Sequence, residues 1–265
     1  MTGPDEPTPH TVKGYGWKPD ERDDRDLMFT APQPVLAALP PKVDLREGCS
    51  PVYDQGHLGS CTANAIGAAF QFAQQKQGLT DLMPSRLFIY YNEREMEGTV
   101  GEDSGAMIRD GIKSVNKLGT CHEDTWKYDI GRFTEKPDDV SYTEALEHQA
   151  TGYRRVAPDL PQMQGCLASG RPFVFGFSVY DSFESPEVAS TGEVPMPGAD
   201  EQLQGGHAVL AVGYDDATQR FLVRNSWGDQ WGDGGYFTMP YEYLTTPDLA
   251  QDFWAIYVVE EPPAA

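Results

Sequence analysis

The stretch Gln55-Gly56-His57-Leu58-Gly59-Ser60-Cys61 runs directly into Thr62-Ala63-Asn64-Ala65-Ile66-Gly67-Ala68-Ala69-Phe70. From Ile66 onward, Ile66, Ala69, Phe70 and Ala73 recur at i, i+3, i+4 and i+7. That spacing predicts a helix over 61–77, with Gly78 as the residue that ends it. The first half of this helix is built from small residues, which permit close packing and predict a central position. Cys61 opens the helix, where unpaired backbone N–H groups and the helix dipole favour an anion, and so favour a thiolate. Gly56 and Gly59 allow tight turns and close approach by another chain. Taken alone, the segment fits a small buried cysteine at a helix start equally well.

Outward from this helix, a second one is predicted around 104–117, with Met107, Ile108, Ile112 and Val115 on its apolar face and Gly119 past its end. The second half changes character. Residues 172–180, 207–214, 220–223 and 236–239 are short, β-rich runs separated by Gly and Asp clusters, and 214–218 reads as a hairpin connection. A helical first half and a strand-rich second half predict an α+β protein of two lobes. No internal repeat is present.

Two segments in the strand-rich half carry polar residues at strand ends. In Gly205-Gly206-His207-Ala208-Val209-Leu210, a histidine opens an apolar strand; in Arg224-Asn225-Ser226-Trp227-Gly228, an asparagine ends one and a tryptophan follows. Each alone fits a structural role. Jointly with Gln55 and Cys61 they resemble the papain family of cysteine peptidases, and its bacterial xylellain-like branch in particular. The order Gln, Cys, His, Asn is the family's. His207 lies 146 residues beyond Cys61, and Asn225 lies 164 beyond it, the latter just past the usual interval of about 130–150. The resemblance runs from about Val43 to about Trp254.

The resemblance implies a papain-like two-lobe fold, with a helical lobe over about 42–155, a β-barrel lobe over about 156–265, and the active-site cleft between them. Residues 1–41 would form an arm resembling a pro-segment. It implies an endopeptidase that works through a thioester acyl-enzyme, needs no cofactor, and acts on peptides or proteins. Cys61 would be the nucleophile, His207 its base, Asn225 the group that orients the imidazole, and Gln55 an oxyanion donor. Trp227 would shield the His–Asn bond. Ser104, Gly105, Ala106 and Gly206 would bind substrate, and Ala106, Met107, Gly176 and Gly205 would wall the S2 pocket, with Gln251 or Asp252 at its far end. Departures from the family are Thr62 where a Trp is usual, Leu58 where a Cys is usual, Asp103-Ser104-Gly105 for Asn-Gly-Gly, and Gly206 where Asp is frequent. Two other classes fit the same nucleophile: an acyl transferase or ligase, and a non-catalytic peptide binder.

Composition narrows the partners. Among 265 residues, 41 Asp and Glu oppose 20 Lys and Arg, a formal charge of -21, which disfavours nucleic acid and anionic membrane. No apolar run reaches the roughly 18 residues of a membrane span, and no secretory signal is recognisable, so a cytoplasmic location is expected. The oligomeric state is open. Cys49 and Cys121 are candidates for pairing, Cys166 reads as a free packed thiol, and no zinc spacing exists. His10, His57, His122 and His148 are scattered and read as surface or turn residues. The arm holds eight prolines and the acidic run 20–24, and cannot form its own core. Tyr15, Trp17, Leu27, Met28 and Phe29 are its candidate anchors, and the cleft is the groove in which they are expected to bury.

Overall fold

The computed structural model describes residues 15–21 and 23–259; His10 and Arg22 lie outside these. The strands are β1 (Trp17–Lys18), β2 (Lys42–Asp44), β3 (Ala106–Met107), β4 (Ala150–Arg155), β5 (Phe173–Tyr180), β6 (Leu203–Asp215), β7 (Arg220–Arg224), β8 (Tyr236–Pro240) and β9 (Ala250–Val259). The helices are α1 (Gln33–Leu36), α2 (Cys61–Gln77), α3 (Arg86–Glu97), α4 (Ile108–Lys117), α5 (Asp139–Ala145), α6 (Leu160–Ala168), α7 (Pro186–Thr191) and α8 (Tyr241–Thr245).

Seven strands form one antiparallel sheet in the order β4-β9-β5-β6-β7-β8, with β2 paired to β6 as well. The expected β-barrel is therefore corrected to an open sheet: among the described residues, β4 and β8 stand at opposite ends and do not pair. Successive side chains of a strand face opposite ways, and β6 uses both faces. Ala208, Leu210 and Val212 join the core that α2 and α3 build. Val209, Ala211 and Tyr214 join a second core with the phenylalanines of β5. The predicted two-lobe α+β organisation rests on these two cores. Strand β4, at the sheet's edge, precedes α6 in the second half of the chain.

Helix α2 has the predicted bounds, and Gly78 closes it at φ 72°. Its small residues let it lie directly against β6 and β9. Helix α4 begins at Ile108 rather than 104, because residues 106–107 are extended as β3 and pair with β1 of the arm. Periodicity does not predict α3, whose run Leu87-Phe88-Ile89-Tyr90-Tyr91 has strand-like composition. Ser85 caps it by accepting from Phe88 N, and Gly98 ends it at φ 71°. Cys49 and Cys121 are both free thiols; Cys49 Sγ donates to Leu45 O at 3.5 Å. Cys166 is free and buried.

Candidate active site

Cys61 is the first residue of α2 and is fully buried. The turn before it is fixed on several sides. Ser60 Oγ meets Tyr128 Oη at 2.5 Å, and Asn64 Nδ2 donates to Ser60 O at 2.9 Å. Gly59 N donates to the Asp103 carboxylate at 3.1 Å, and Tyr90 Oη donates to the same carboxylate at 2.5 Å. Asp103 and Tyr128 are thus structural partners of the nucleophile's loop. Spacing around Cys61 gives no signal for either, since both come from distant parts of the chain. Thr62, where relatives carry Trp, donates to Glu93 Oε1 at 2.5 Å inside the core. Burial pushes the Glu93 carboxyl well above the ordinary range, against the Thr62 hydrogen bond that lowers it.

Gln55 joins the two lobes. Its N–H donates to Ser226 O at 2.9 Å, its Nε2 to Leu58 O at 2.9 Å, and its Oε1 accepts from Ser226 Oγ at 2.6 Å. Gly228 N donates to Tyr53 O at 3.0 Å. The loop before Cys61 and the loop after Asn225 are therefore zipped together.

His207 Nε2 lies 2.8 Å from Asn225 Oδ1. That oxygen also accepts from Ser226 N at 2.9 Å, so the Asn225 amide faces His207 with its acceptor. It follows that Nε2 carries the proton and donates, which fixes the tautomer and leaves Nδ1 for chemistry. Trp227 stacks on the imidazole with ring centroids 5.0 Å apart, and the pair is buried. The order of groups is the one the resemblance implies.

The arm enters this centre. Gly16 O accepts from Ala106 N at 2.7 Å, β1 pairs in parallel with β3, and Tyr15 sits edge-on to His207 at 6.0 Å. Tyr15 Oη donates to Glu184 Oε1 at 2.5 Å. Close approach depends on missing side chains: a Cβ on Gly16 would stand 1.7 Å from Gly59 O, and one on Gly105 would stand 2.1 Å from Gly16 O. In this covered state burial pushes the Cys61 thiol up to about 12, against the backbone N–H groups of Ala208, Gly16 and Thr62 that lower it.

Trp17 fills a pocket beside Cys61. Its ring lies on Gly176 and Gly206, where added Cβ atoms would come within 2.0 and 2.5 Å of it. Trp17 Nε1 donates to Asp252 Oδ2 at 3.2 Å. Of the two residues considered for the far end, Asp252 points in, whereas Gln251 Nε2 turns away to Pro247 O. Ala106 is buried nearby, and Gly205 meets Tyr15 rather than Trp17. Ser104 Oγ bonds Thr99 Oγ1 at 2.8 Å. His57 is exposed. Among the arm's apolar residues Trp17 and Phe29 are buried, while Leu27 and Met28 are exposed. Among the described residues no cluster of metal-ligating side chains exists, and no helix is long and apolar enough to cross a membrane.

Comparison with known proteins agrees with this architecture. The model of the papain family cysteine proteases matches residues 39–253. An uncharacterized peptidase C1-like protein of Acanthamoeba polyphaga mimivirus is 43% identical over 94% of this chain and 88% of its own. The cathepsin B-like CP2 of Giardia intestinalis is 31% identical over 76% of this chain and 69% of its own. The crystal structure of xylellain, a cysteine protease from Xylella fastidiosa, superposes with a TM-score of 0.87 at 47% identity, covering 96% of this chain and 98% of that one.

Proposed function

Since the chain belongs to the papain family of cysteine proteases, we propose that Cys61, His207, Asn225 and Gln55 carry its endopeptidase chemistry and that residues 1–41 form a latency arm on the peptidase body 42–265. The enzyme hydrolyses peptide bonds, and its substrates are peptides or proteins. The observation that carries the assignment is the His207–Asn225 bond at 2.8 Å, which presents the second imidazole nitrogen while Cys61 opens α2.

With the arm displaced, the Cys61 thiolate adds to the peptide carbonyl carbon, and the C=O electron pair moves to oxygen. Gln55 Nε2 and the Cys61 backbone N–H meet that oxyanion; one such donor contributes on the order of 3 kcal/mol. The C–N bond then breaks as imidazolium gives its proton to the leaving amine. Water, deprotonated by His207, adds to the thioester, and the thiolate leaves. Asn225 holds the ring in place throughout, under Trp227.

The arm does not turn its Gly16 carbonyl to the thiol. The group it turns to the thiol is the Gly16 N–H, and the Gly16 carbonyl is committed to Ala106 N. Labelling by an epoxysuccinyl probe and turnover of a fluorogenic peptide amide test the assignment. Cys61→Ala is expected to abolish both with an unchanged Tm; retained turnover contradicts the nucleophile.

A further inference from the structure

Asp252 is the described residue other than Gln219 that holds a positive φ without being glycine, at 60°. Such a conformation is disfavoured for a residue with a side chain and persists only where its surroundings impose it. The cause is a register shift. Val174 pairs with Trp254 but Gly176 pairs with Gln251, so one extra residue of β9 is accommodated between them. A bulge of this kind re-aims a side chain, and here it turns a buried carboxylate into the pocket beside the nucleophile.

The two carboxylate oxygens have different partners. Oδ1 accepts from Arg155 Nη2 at 2.9 Å, an interaction within the body. Among the described residues, Oδ2 accepts from the arm alone, from Trp17 Nε1 at 3.2 Å and Asp20 N at 2.8 Å. Arg155 also reaches the arm's Asp26, at 3.1 Å, and Arg109 pairs with Asp26 at 2.5 Å. When the arm leaves, Asp20 and Asp26 leave with it. Asp252 then keeps Arg155 as its counter-ion, Arg109 adds a further positive charge nearby, and among the described residues Oδ2 is left without a donor.

We propose that this pocket selects a flat aromatic side chain bearing a neutral N–H or O–H donor, tryptophan above all, and that the Asp252–Arg155 pair sets this choice against lysine and arginine. Glycine at 176 and 206 gives the flat slot, and Oδ2 gives one acceptor within it. A cationic side chain would enter a site whose carboxylate is already neutralised, and would lose its hydration for no unpaired charge. The inference rests on the active-site assignment above. It goes beyond the resemblance, which places Gln251 or Asp252 at the pocket's far end without its Arg155 partner.

The full-length chain tests this with the arm itself as a tethered ligand. The readout is the rate of Cys61 alkylation by a small neutral haloacetamide, which is independent of turnover. Trp17→Phe keeps the ring and loses the donor, and is expected to raise the rate about tenfold, the loss of one hydrogen bond to a charged acceptor. Trp17→Lys is expected to raise it more than Trp17→Phe does. A rate for Trp17→Lys at or below that of the parent chain overturns the proposal.

Trp17→Ala empties the pocket in the intact chain, and its cleavage profile over a peptide library is expected to favour tryptophan at one subsite. Adding Arg155→Met frees Asp252 of its partner and is expected to swing that subsite to lysine and arginine, with the Tm recorded for each variant. A profile for Trp17→Ala that already prefers basic residues, or that does not change when Arg155 is replaced, refutes the role of the pair. Absence of turnover in a Trp17→Ala chain whose Cys61 is alkylated rapidly counts against the active-site assignment instead, and the alkylation series still decides the pocket's preference.

Discussion

Residues 15–20 and residues 27–31 belong to one arm, yet they are held on the body by different forces. The first segment lies over Cys61 on a two-residue parallel ladder, one buried ring and the contacts of Asp20, and the adjoining Asp26 adds ion pairs to Arg109 and Arg155. The second is fastened by packing. Phe29 and Ala31 are buried in the sheet's second core, Ala31 closes on Gly165, and Phe29 N donates to Arg155 O at 2.7 Å. Apolar burial depends little on pH or salt, whereas charged and close-fitting contacts depend on both or on geometry alone. The arm thus has a fixed root and a releasable tip. An inhibitory segment needs both: release from the cleft, without loss of the segment that guides it back.

The largest effect on release is expected from Gly16→Ala. Its Cβ would stand 1.7 Å from Gly59 O, and backbone on both sides cannot yield without moving the loop before Cys61. Overpacking of this kind costs about 1–3 kcal/mol, so alkylation of Cys61 should quicken roughly 10- to 100-fold with little change in Tm. Unchanged alkylation would mean that the tip does not limit access. Phe29→Ala should do the opposite. It removes a buried ring from the root, where truncation costs about 3 kcal/mol, and the Tm should fall by several degrees. If Phe29→Ala opened the site as fully as Gly16→Ala at unchanged Tm, root and tip would not be distinct.

The tip should also respond to pH. Asp20 has a fully buried side chain; burial first, and then the facing charge of Asp252, push its carboxyl from the ordinary range up to about 6, against the Arg109 N–H, the Trp254 N–H and the Arg109 charge. Asp252 is pushed upward as well, mainly by burial. A group whose value rises on docking binds its proton more tightly when docked. Docking is therefore strongest below the free carboxylate value near pH 4 and weakens as pH rises through about 6. Relative to Gly16→Ala, which cancels the intrinsic pH dependence of the thiol, alkylation of the parent chain should increase roughly 10- to 100-fold from pH 4 to pH 7. Asp20→Asn should flatten that rise. A parent chain that opens as the pH falls would reverse the sign and exclude Asp20 as its cause.

How far the sequence reached also differs between body and tip. The helix at Cys61 was legible because a 3.6-residue period and a terminal glycine agree over seventeen residues. Gln55, His207 and Asn225 were legible by resemblance, as three short motifs in a fixed order. Helix α3 was not, because its aromatic and β-branched run satisfies strand composition, and a cap at Ser85 outweighs that preference. The choice between Gln251 and Asp252 could not be made either. In a strand one residue's shift exchanges the two faces, and the bulge that makes the shift has no mark in the sequence. Asp103 and Tyr128 reach the nucleophile's loop only through tertiary contact. The open sheet was hidden behind the same strand pattern that a barrel would show.

The smallest predicted effect isolates one exposed contact of the tip. Lys18 Nζ meets Glu97 Oε2 at 2.9 Å, with the lysine side chain 35% exposed and the glutamate 8%. Glu97 is not held by this pair alone, since its Oε1 accepts from Met107 N at 2.7 Å on β3. Removing the lysine therefore leaves the carboxylate with a partner and without a steep desolvation penalty. A half-exposed ion pair contributes on the order of 0.2–1 kcal/mol, so Lys18→Ala should speed alkylation of Cys61 by only about two- to threefold. The difference should vanish near 1 M salt, where the screening length falls to about 3 Å, because the parent chain then loses the same attraction. Gly16→Ala, whose effect is steric, should keep its full margin in that salt. A Lys18→Ala effect that survived high salt would assign the contact to packing of the lysine stem along β3, and would move that part of the tip into the same class as the root.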